Sequence, residues 1–207
     1  MPEGCDVPEG CEVPVSGRCD RLLMTTQYYT ATSIDGFIAD ADNSLDWLFQ
    51  FGEVEGMAEE YPRFLADVGA LAMGSTTYNW IAEHTGFLED PARWEYTLPT
   101  WVFSTRDLPR PAGPDIRLVS GDVRPVHAAM VRAAAGKNLW LVGGGELVGQ
   151  FHDAGLLDEV ILGVAPVFLG SGAPLLPRSI TTPPLELVEV AAYARTFVSL
   201  RYRVPRG

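Results

Sequence analysis

The sequence has little cysteine, and none of it lies beyond the first 20 residues. Its three cysteines are Cys5, Cys11 and Cys19. This excludes a domain built on disulfide bonds for the rest of the chain, and a cytoplasmic setting fits such cysteine usage best. The spacing of the three cysteines matches no common zinc pattern and no histidine lies near them, so we expect no metal site.

Basic residues and long apolar runs are also scarce. The chain has 15 Lys and Arg residues against 27 Asp and Glu residues, which gives a formal net charge of −12. Because such a chain gains no general attraction to phosphate backbones, we expect no nucleic-acid partner. No apolar run reaches the roughly 18 residues of a membrane helix, and the N-terminus lacks the apolar stretch of a signal peptide, so no membrane association is expected.

What is present is the composition of a globular protein. Hydrophobic residues make up 47% of the 207 residues and charged residues 20%, which suits one domain with a real core. Residues 1–23 differ, because the repeat PEGCDV–PEGCEV has no apolar period. We interpret residues 1–23 as a flexible arm and residues 24–207 as a single domain.

From Thr26 onward, runs rich in β-branched and apolar residues alternate with helical patterns. This alternation predicts a mostly parallel central sheet with helices on both faces, a three-layer α/β/α domain. Two consecutive strands at the C-terminus predict an antiparallel edge to that mixed sheet. The pattern also predicts a loop over residues 40–46 and a helix over residues 53–67, in which Pro62 makes the middle an unusual helical position.

Three glycines separate an apolar strand from a helix in NLWLVGGGELVGQF. They are Gly143, Gly144 and Gly145. A backbone without side chains lets a phosphate approach the first N–H groups of the helix, whose dipole favours negative charge. The alternative is a tight turn that needs positive φ. The spacing is not the G-x-G-x-x-G fingerprint, so the motif alone leaves both interpretations open.

Two more strand ends carry polar groups. In LAMGSTTYNW a helix begins after a buried strand, and the residues at the turn are Gly74, Ser75, Thr76 and Thr77. In WVFSTRDL a strand is followed by Ser104, Thr105 and Arg106. Ligands collect at strand ends in open α/β sheets, and an arginine pairs with phosphate through two hydrogen bonds. An ordinary capped helix and a surface arginine are the respective alternatives.

Two further segments are candidates for a substrate pocket. Asp35 lies in the apolar stretch TATSIDGFIA, where its environment would tune the pKa of its carboxyl group for proton relay. The alternative is a turn aspartate before Gly36. The second segment, VFLGSGAPLL, contains Gly170, Ser171 and Gly172. No nucleophile elbow or histidine–glutamate metal pair occurs, so hydrolytic and metal-dependent mechanisms have no visible apparatus.

Taken in order, these segments resemble the reductase domain of riboflavin-biosynthesis bifunctional proteins, which has the dihydrofolate-reductase fold. The resemblance rests on ATSIDGFIA, DWL, LAMGSTTY, VFSTRDL, LWLVGGGELVGQFHDAGLLDEV and PVFLGSGAPLL, and it covers residues 26–204. It implies a stand-alone, cytoplasmic reductase, tending to form homodimers, in which NADPH donates a hydride to a small substrate held beside it.

The resemblance also implies roles for the residues named above. The cofactor pyrophosphate and nicotinamide would lie at Gly143, Gly144, Gly145 and Glu146. The adenosine side would lie at Gly74, Ser75, Thr76 and Thr77. The 2′-phosphate would lie at Ser104, Thr105 and Arg106. The substrate would meet the catalytic Asp35, with Trp47, Gly170, Ser171 and Gly172 around it.

Two departures from the family pattern bear on function. Ser75 stands where the family usually has an arginine that binds phosphate, which leaves NADH as an alternative to NADPH. The deaminase domain and its zinc signature are absent from the sequence, so activity in riboflavin synthesis does not follow. We expect an NADPH-dependent reductase of a pyrimidinone, pterin-like or carbonyl substrate. The alternatives are a non-catalytic dinucleotide-binding protein and an oligomeric scaffold.

Overall fold

The computed structural model describes residues 24–52 and 54–206. One sheet of eight strands consists of β1 (Thr26–Ser33), β3 (Val68–Gly74), β4 (Thr100–Phe103), β5 (Ile116–Val119), β6 (Asn138–Gly143), β7 (Glu159–Ala165), β9 (Glu186–Tyr193) and β10 (Phe197–Arg203). A small second sheet pairs β2 (Phe37–Ala39) with β8 (Ala173–Pro174). The helices are α1 (Asp46–Phe49), α2 (Glu60–Ala66), α3 (Ser75–Thr85), α4 (Val123–Ala133) and α5 (Gly145–Asp153). The predicted arm, with its three cysteines, lies outside the described residues.

The strand order confirms the predicted mixed sheet. It is β5-β4-β3-β6-β1-β7-β10-β9, with parallel pairing from β5 through β7. β10 runs antiparallel to both β7 and β9, so the last two strands form the expected antiparallel edge. Six of the seven residues of β3 are buried, as expected for a central parallel strand covered on both faces.

Helices cover the two faces of the sheet and define two hydrophobic layers. On one face α2 and α3 pack against the sheet, with Tyr78 and Ile81 from α3 buried there. On the other face α4 and α5 pack against it, with Met130 and Phe151 fully buried. α3 and α5 therefore leave the strands that precede them toward opposite faces.

The helix predicted over residues 53–67 is wrong in its first half. The structure has turns up to residue 59, and α2 begins only at Glu60. Gly56 has a left-handed φ of +84°, which an α-helix cannot contain. Pro62 then falls in the first turn of α2, where its missing N–H breaks no helical hydrogen bond. The predicted loop over residues 40–46 ends at the short helix α1, which the sequence pattern did not reveal.

The sequence predicts neither a membrane helix nor a metal site in the described residues. In residues 24–52 and 54–206 no helix is long and apolar enough to cross a membrane. Over the same residues, no group of three or more His, Cys, Asp or Glu side chains is placed to hold a metal ion.

Candidate functional site

The connections between strands create a crevice between β3 and β6. These two strands are parallel neighbours, and Met73 of β3 is in register with Gly143 of β6. From β3 the chain turns toward β4 through α3, whereas from β6 it turns the other way through α5 toward β7. Adjacent strands whose connections diverge leave a gap at their carboxyl ends, and ligands of open α/β sheets bind in that gap. The two glycine turns predicted to bind a dinucleotide both lie at this point.

The glycine turns are in contact across the crevice. A Cβ atom added to Gly74 would lie 3.9 Å from the carbonyl oxygen of Gly143, and one added to Gly143 would lie 3.4 Å from Oγ1 of Thr77. The structure therefore brings the segment 74–77 and the triple glycine together, although Gly143 lies 66 positions after Thr77 in the sequence.

The three consecutive glycines have different physical roles. Gly144 has a φ of +67° and ψ of 110°, and a Cβ atom there would meet no described atom within 4 Å. A Cβ atom on Gly145 would lie 2.6 Å from the carbonyl oxygen of Leu175, so Gly145 is required for close packing of the chain. Gly144 alone has both a glycine-favoured backbone and open space beside it, which is the property needed for close approach by a ligand.

Two helices begin at the crevice with backbone N–H groups that no described side chain caps. The N-cap residues are Gly74 for α3 and Gly144 for α5, and neither has a side chain to offer. The first N–H groups of a helix have no partner within the helix and attract anions. Two such ends facing one crevice favour a ligand with more than one negative group.

Arg106 places a cation beside the first residue of α3. Ser104 and Arg106 form a compact turn, in which the Ser104 hydroxyl accepts a hydrogen bond from the Arg106 N–H at 2.9 Å and donates one to its carbonyl oxygen at 2.8 Å. The Arg106 guanidinium reaches Ser75, with Nη2 3.5 Å from Oγ. A positive charge thus lies next to Ser75, the position at which the resemblance implies an arginine. Thr105 is exposed between the two turn residues.

Asp35 fastens the end of β1 to the segment that contains Gly170. Its Oδ1 accepts hydrogen bonds from the Ser33 hydroxyl at 2.6 Å and from the Leu169 N–H at 3.1 Å, and its Oδ2 accepts one from the Gly170 N–H at 2.7 Å. These bonds, led by the one from Ser33, lower the pKa of the Asp35 carboxyl group. The group is therefore ionised at neutral pH, which suits an anchor better than a proton donor. The catalytic role of Asp35 stays a prediction.

The Asp35 turn and the glycine crevice are linked through one residue. The Leu175 N–H donates a hydrogen bond to the Gly36 carbonyl oxygen at 2.8 Å, and the Leu175 carbonyl oxygen abuts Gly145. Gly172 packs against the backbone of β2, and Ser171 is exposed beside it. The predicted substrate-side segment 170–172 is thus held at the same edge of the sheet as the triple glycine.

Trp47 lies below this edge. It is buried with Ala165 and Phe197, and Leu169 packs against the same cluster. Its indole N–H is buried without a hydrogen-bond partner among the described residues. The structure therefore places Trp47 in the packing beneath the Asp35–Leu169 contact.

The sequence patterns did not reveal Arg178, which forms an ion pair with Glu146. Its guanidinium donates to both carboxylate oxygens of Glu146, at 2.9 and 2.8 Å, and to Asp153 at 2.8 Å. The contact with Arg178 lowers the pKa of Glu146. A Cβ atom on Gly149 would lie 2.6 Å from Cζ of Arg178, so this glycine leaves the room in which the guanidinium lies across α5. Glu146, predicted to bind the cofactor, is therefore paired with a guanidinium that it shares with Asp153.

The family model described as RibD C-terminal domain matches residues 81–199 of this chain. Among curated proteins, the uncharacterized protein YwjB of Bacillus subtilis (strain 168) is 32% identical over 151 residues, which are 72% of this chain and 81% of that protein. The uncharacterized protein YyaP of the same organism is 26% identical over 151 residues, 70% of this chain and 76% of its own length.

Solved structures share the fold. A Shewanella sp. PV-4 protein assigned to riboflavin biosynthesis superposes with a TM-score of 0.72 at 25% identity, over 88% of this chain and 100% of its own. A Thermotoga maritima deaminase/5-amino-6-(5-phosphoribosylamino)uracil reductase superposes with a TM-score of 0.58 at 15% identity. The superposition covers 88% of this chain and 57% of that protein. Enterococcus faecalis dihydrofolate reductase, complexed with NADP(H), gives 0.54 at 12% identity over 87% of this chain and 97% of that one. The last two likenesses concern the fold alone.

Proposed function

The chain belongs to the RibD C-terminal domain family, a family of reductase domains, and from this membership we propose that it is an NADPH-dependent reductase of a small heterocyclic or carbonyl substrate. The observation that carries the proposal is the convergence of Gly74 and Gly143–Gly144 at the point where α3 and α5 diverge. NADPH supplies the hydride in such a reaction. We place the activity in the cytoplasm.

The described residues fit a dinucleotide phosphate. Uncapped N–H groups begin both α3 and α5, and Gly144 leaves open space beside them. Arg106 adds an exposed guanidinium at the β3–β4 side of the crevice, where it is free to pair with a phosphate through two hydrogen bonds. We assign the pyrophosphate to the Gly144 end and the 2′-phosphate to Arg106.

The protein's own contribution is positioning. Asp35 holds the Leu169–Gly170 backbone in place through two N–H bonds, and Leu175 joins this segment to Gly145. The substrate-side loop is thereby fixed relative to the cofactor crevice. Fixed geometry between donor and acceptor supplies much of the rate in a transfer that needs no covalent intermediate. Because Asp35 is ionised, we propose that it positions the loop and that water supplies the proton.

A titration with NADPH and NADH, followed by fluorescence, tests the proposal. We expect NADPH to bind more tightly, and we expect Arg106→Gln to weaken NADPH about tenfold to a hundredfold, the loss of a charge-assisted contact, with little effect on NADH. Arg132→Gln is the matched control, because Arg132 is exposed in the last turn of α4, which ends beside the start of β3 rather than at its carboxyl end. Absence of nucleotide binding by the wild-type protein would overturn the proposal.

Turnover separates an enzyme from a binding protein. We expect the protein to oxidise NADPH in the presence of a pterin, pyrimidinone or carbonyl substrate. The absorbance of NADPH measures this oxidation. Tight NADPH binding without oxidation of any of these would instead favour the non-catalytic dinucleotide-binding protein.

We propose a homodimer through the outer face of β9 and β10. On this face Leu187, Val190 and Val198 are exposed by 57%, 56% and 37%. The charged pairs of these strands, Arg201–Glu189 among them, lie on the opposite face. An uncharged sheet face lets two copies of a chain with net charge −12 meet without like-charge contact.

Light scattering on the purified protein tests the dimer. We expect wild-type protein to have twice the mass of the chain, and Val190→Glu to give the monomer because it puts two carboxylates into the shared face. Phe168→Glu, which charges an exposed aromatic residue outside β9 and β10, is the control. A monomeric wild-type protein would refute the interface.

A further inference from the structure

A cavity of about 410 Å³ lies beside the predicted cofactor crevice, between α3 and the loop that joins β2 to α1. Thr76, one of the predicted cofactor residues at the start of α3, is part of its wall. The cavity therefore opens next to the crevice, on the side away from the Arg106 turn.

Negative charge dominates the wall of this cavity. Asp42 and Asp46 come from the β2–α1 loop and the start of α1, and Glu83 comes from α3. Among the described residues that line it there is no lysine or arginine. The guanidinium of Arg106 lies instead against Ser75, at the other side of the same helix end. Charge of opposite sign is thus separated across the start of α3.

An aromatic wall faces the same space. The Trp80 ring is stacked on His84 with centroids 4.1 Å apart and planes at 23°. Phe49 lies parallel to Trp80 at 6.0 Å and is 52% exposed. Trp80 and His84 of this stack line the cavity and present aromatic surface to a planar ligand, whereas Phe49 lies outside the cavity wall.

We propose that this cavity extends the substrate site beyond the segment 170–172, none of whose residues lines it, and that it selects a flat heterocycle that is uncharged or cationic and excludes phosphorylated compounds. The inference rests on the proposed reductase function and names its substrate class. A phosphate would face three carboxylates with no lysine or arginine on the cavity wall, whereas an amidine-like ring edge would pair with them. The Thermotoga maritima relative is described as a reductase of a phosphoribosyl compound, so the two proteins would differ in substrate.

Three planar ligands of one shape and different charge test the inference. Benzamidine is cationic, benzamide is neutral and benzoate is anionic. We expect benzamidine to bind at least about tenfold more tightly than benzoate, with benzamide between them, in ligand-observed NMR titrations. Binding of benzoate as tight as that of benzamidine would overturn the proposal.

Variants assign the effect to the cavity. Glu83→Gln should weaken benzamidine about two- to fivefold and leave benzamide unchanged, because it removes one partly exposed charge. Glu89→Gln, which removes an exposed carboxylate outside the cavity wall, should change neither ligand. Trp80→Ala should weaken all three ligands. Unchanged benzamidine affinity in Glu83→Gln, or unchanged affinities of all three ligands in Trp80→Ala, would refute the site.

A parallel NADPH titration keeps this inference separate from the proposed function. Loss of the benzamidine preference with intact NADPH binding would overturn the substrate class alone. A benzamidine preference in a protein that binds no NADPH would overturn the reductase function and leave a cavity for cationic rings.

Discussion

Replacing Gly144 with alanine should separate nucleotide binding from folding. Gly144 has a φ of +67°, and a Cβ atom added there meets no described atom within 4 Å. The substitution therefore creates no clash inside the protein, and its cost to folding is backbone strain, about 1–3 kcal/mol. For a chain of this length that corresponds to a fall in the melting temperature of roughly 2–12 °C.

The effect on NADPH should be larger than the effect on folding. The added methyl group would stand in the open space beside the first N–H groups of α5 and keep a phosphate from approaching them. Loss of one hydrogen bond to a charged group costs about 1.5–3 kcal/mol, which weakens NADPH about tenfold to a hundredfold. Fluorescence titration measures this change, and thermal unfolding measures the strain.

Gly155→Ala is the matched control. Gly155 has a φ of +70°, and a Cβ atom there also meets no described atom within 4 Å. It follows α5 at the other end of the helix, so it shares the positive φ but not the crevice. We expect Gly155→Ala to lower stability and leave NADPH affinity unchanged. Equal NADPH affinities of the two variants would refute the assignment of Gly144 to the cofactor.

Three other changes have expected outcomes. Gly145→Ala should lower the free energy of unfolding by about 1–3 kcal/mol in urea melts, because its Cβ would lie 2.6 Å from the Leu175 carbonyl oxygen. Asp35→Asn should lower the melting temperature at neutral pH, because it weakens the hydrogen bond from the Gly170 N–H. Since the pKa of Asp35 is lowered in the folded state, the difference in melting temperature should shrink as the pH falls below 3.8, the ordinary pKa of the group. A difference that is constant with pH would contradict the role of Asp35 as an anchor. Burial lowers the pKa of His127. The neutral imidazole should therefore contribute fully to stability above pH 6.5, its ordinary pKa, and less at lower pH. His127→Gln should make the free energy of unfolding depend less on pH below 6.5, which urea melts at several pH values measure.

The sheet could be predicted because its strands carry their signal locally. Apolar runs such as Val68–Gly74 are buried, so composition alone marks them as central strands. The start of α2 was missed because the signal lies in one backbone angle: Gly56 adopts a left-handed φ, which the sequence permits but does not require. Boundaries of helices depend on such single residues, whereas the existence of strands depends on many.

Contacts between distant residues explain what the sequence left undecided at the site. Arg106 lies 31 residues from Ser75, and Arg178 lies 32 residues from Glu146. Neither arginine stands in a motif that names its partner. Without the fold, Ser75 indicates a lost phosphate contact, and Glu146 is only a predicted cofactor residue. With the fold, each has a guanidinium beside it.

The acidic cavity shows the same effect for function. In sequence, Asp42 and Asp46 belong to a polar loop and Glu83 to the exposed side of a helix, and such residues are usually only solvated. The fold brings them around one space, beside Trp80, next to the turn that is predicted to bind the cofactor. A family's motifs identify the cofactor side, because glycine turns and helix ends are local. The substrate side is formed by loop and helix residues with no fixed spacing, so its charge has to be read from the three-dimensional arrangement of each member.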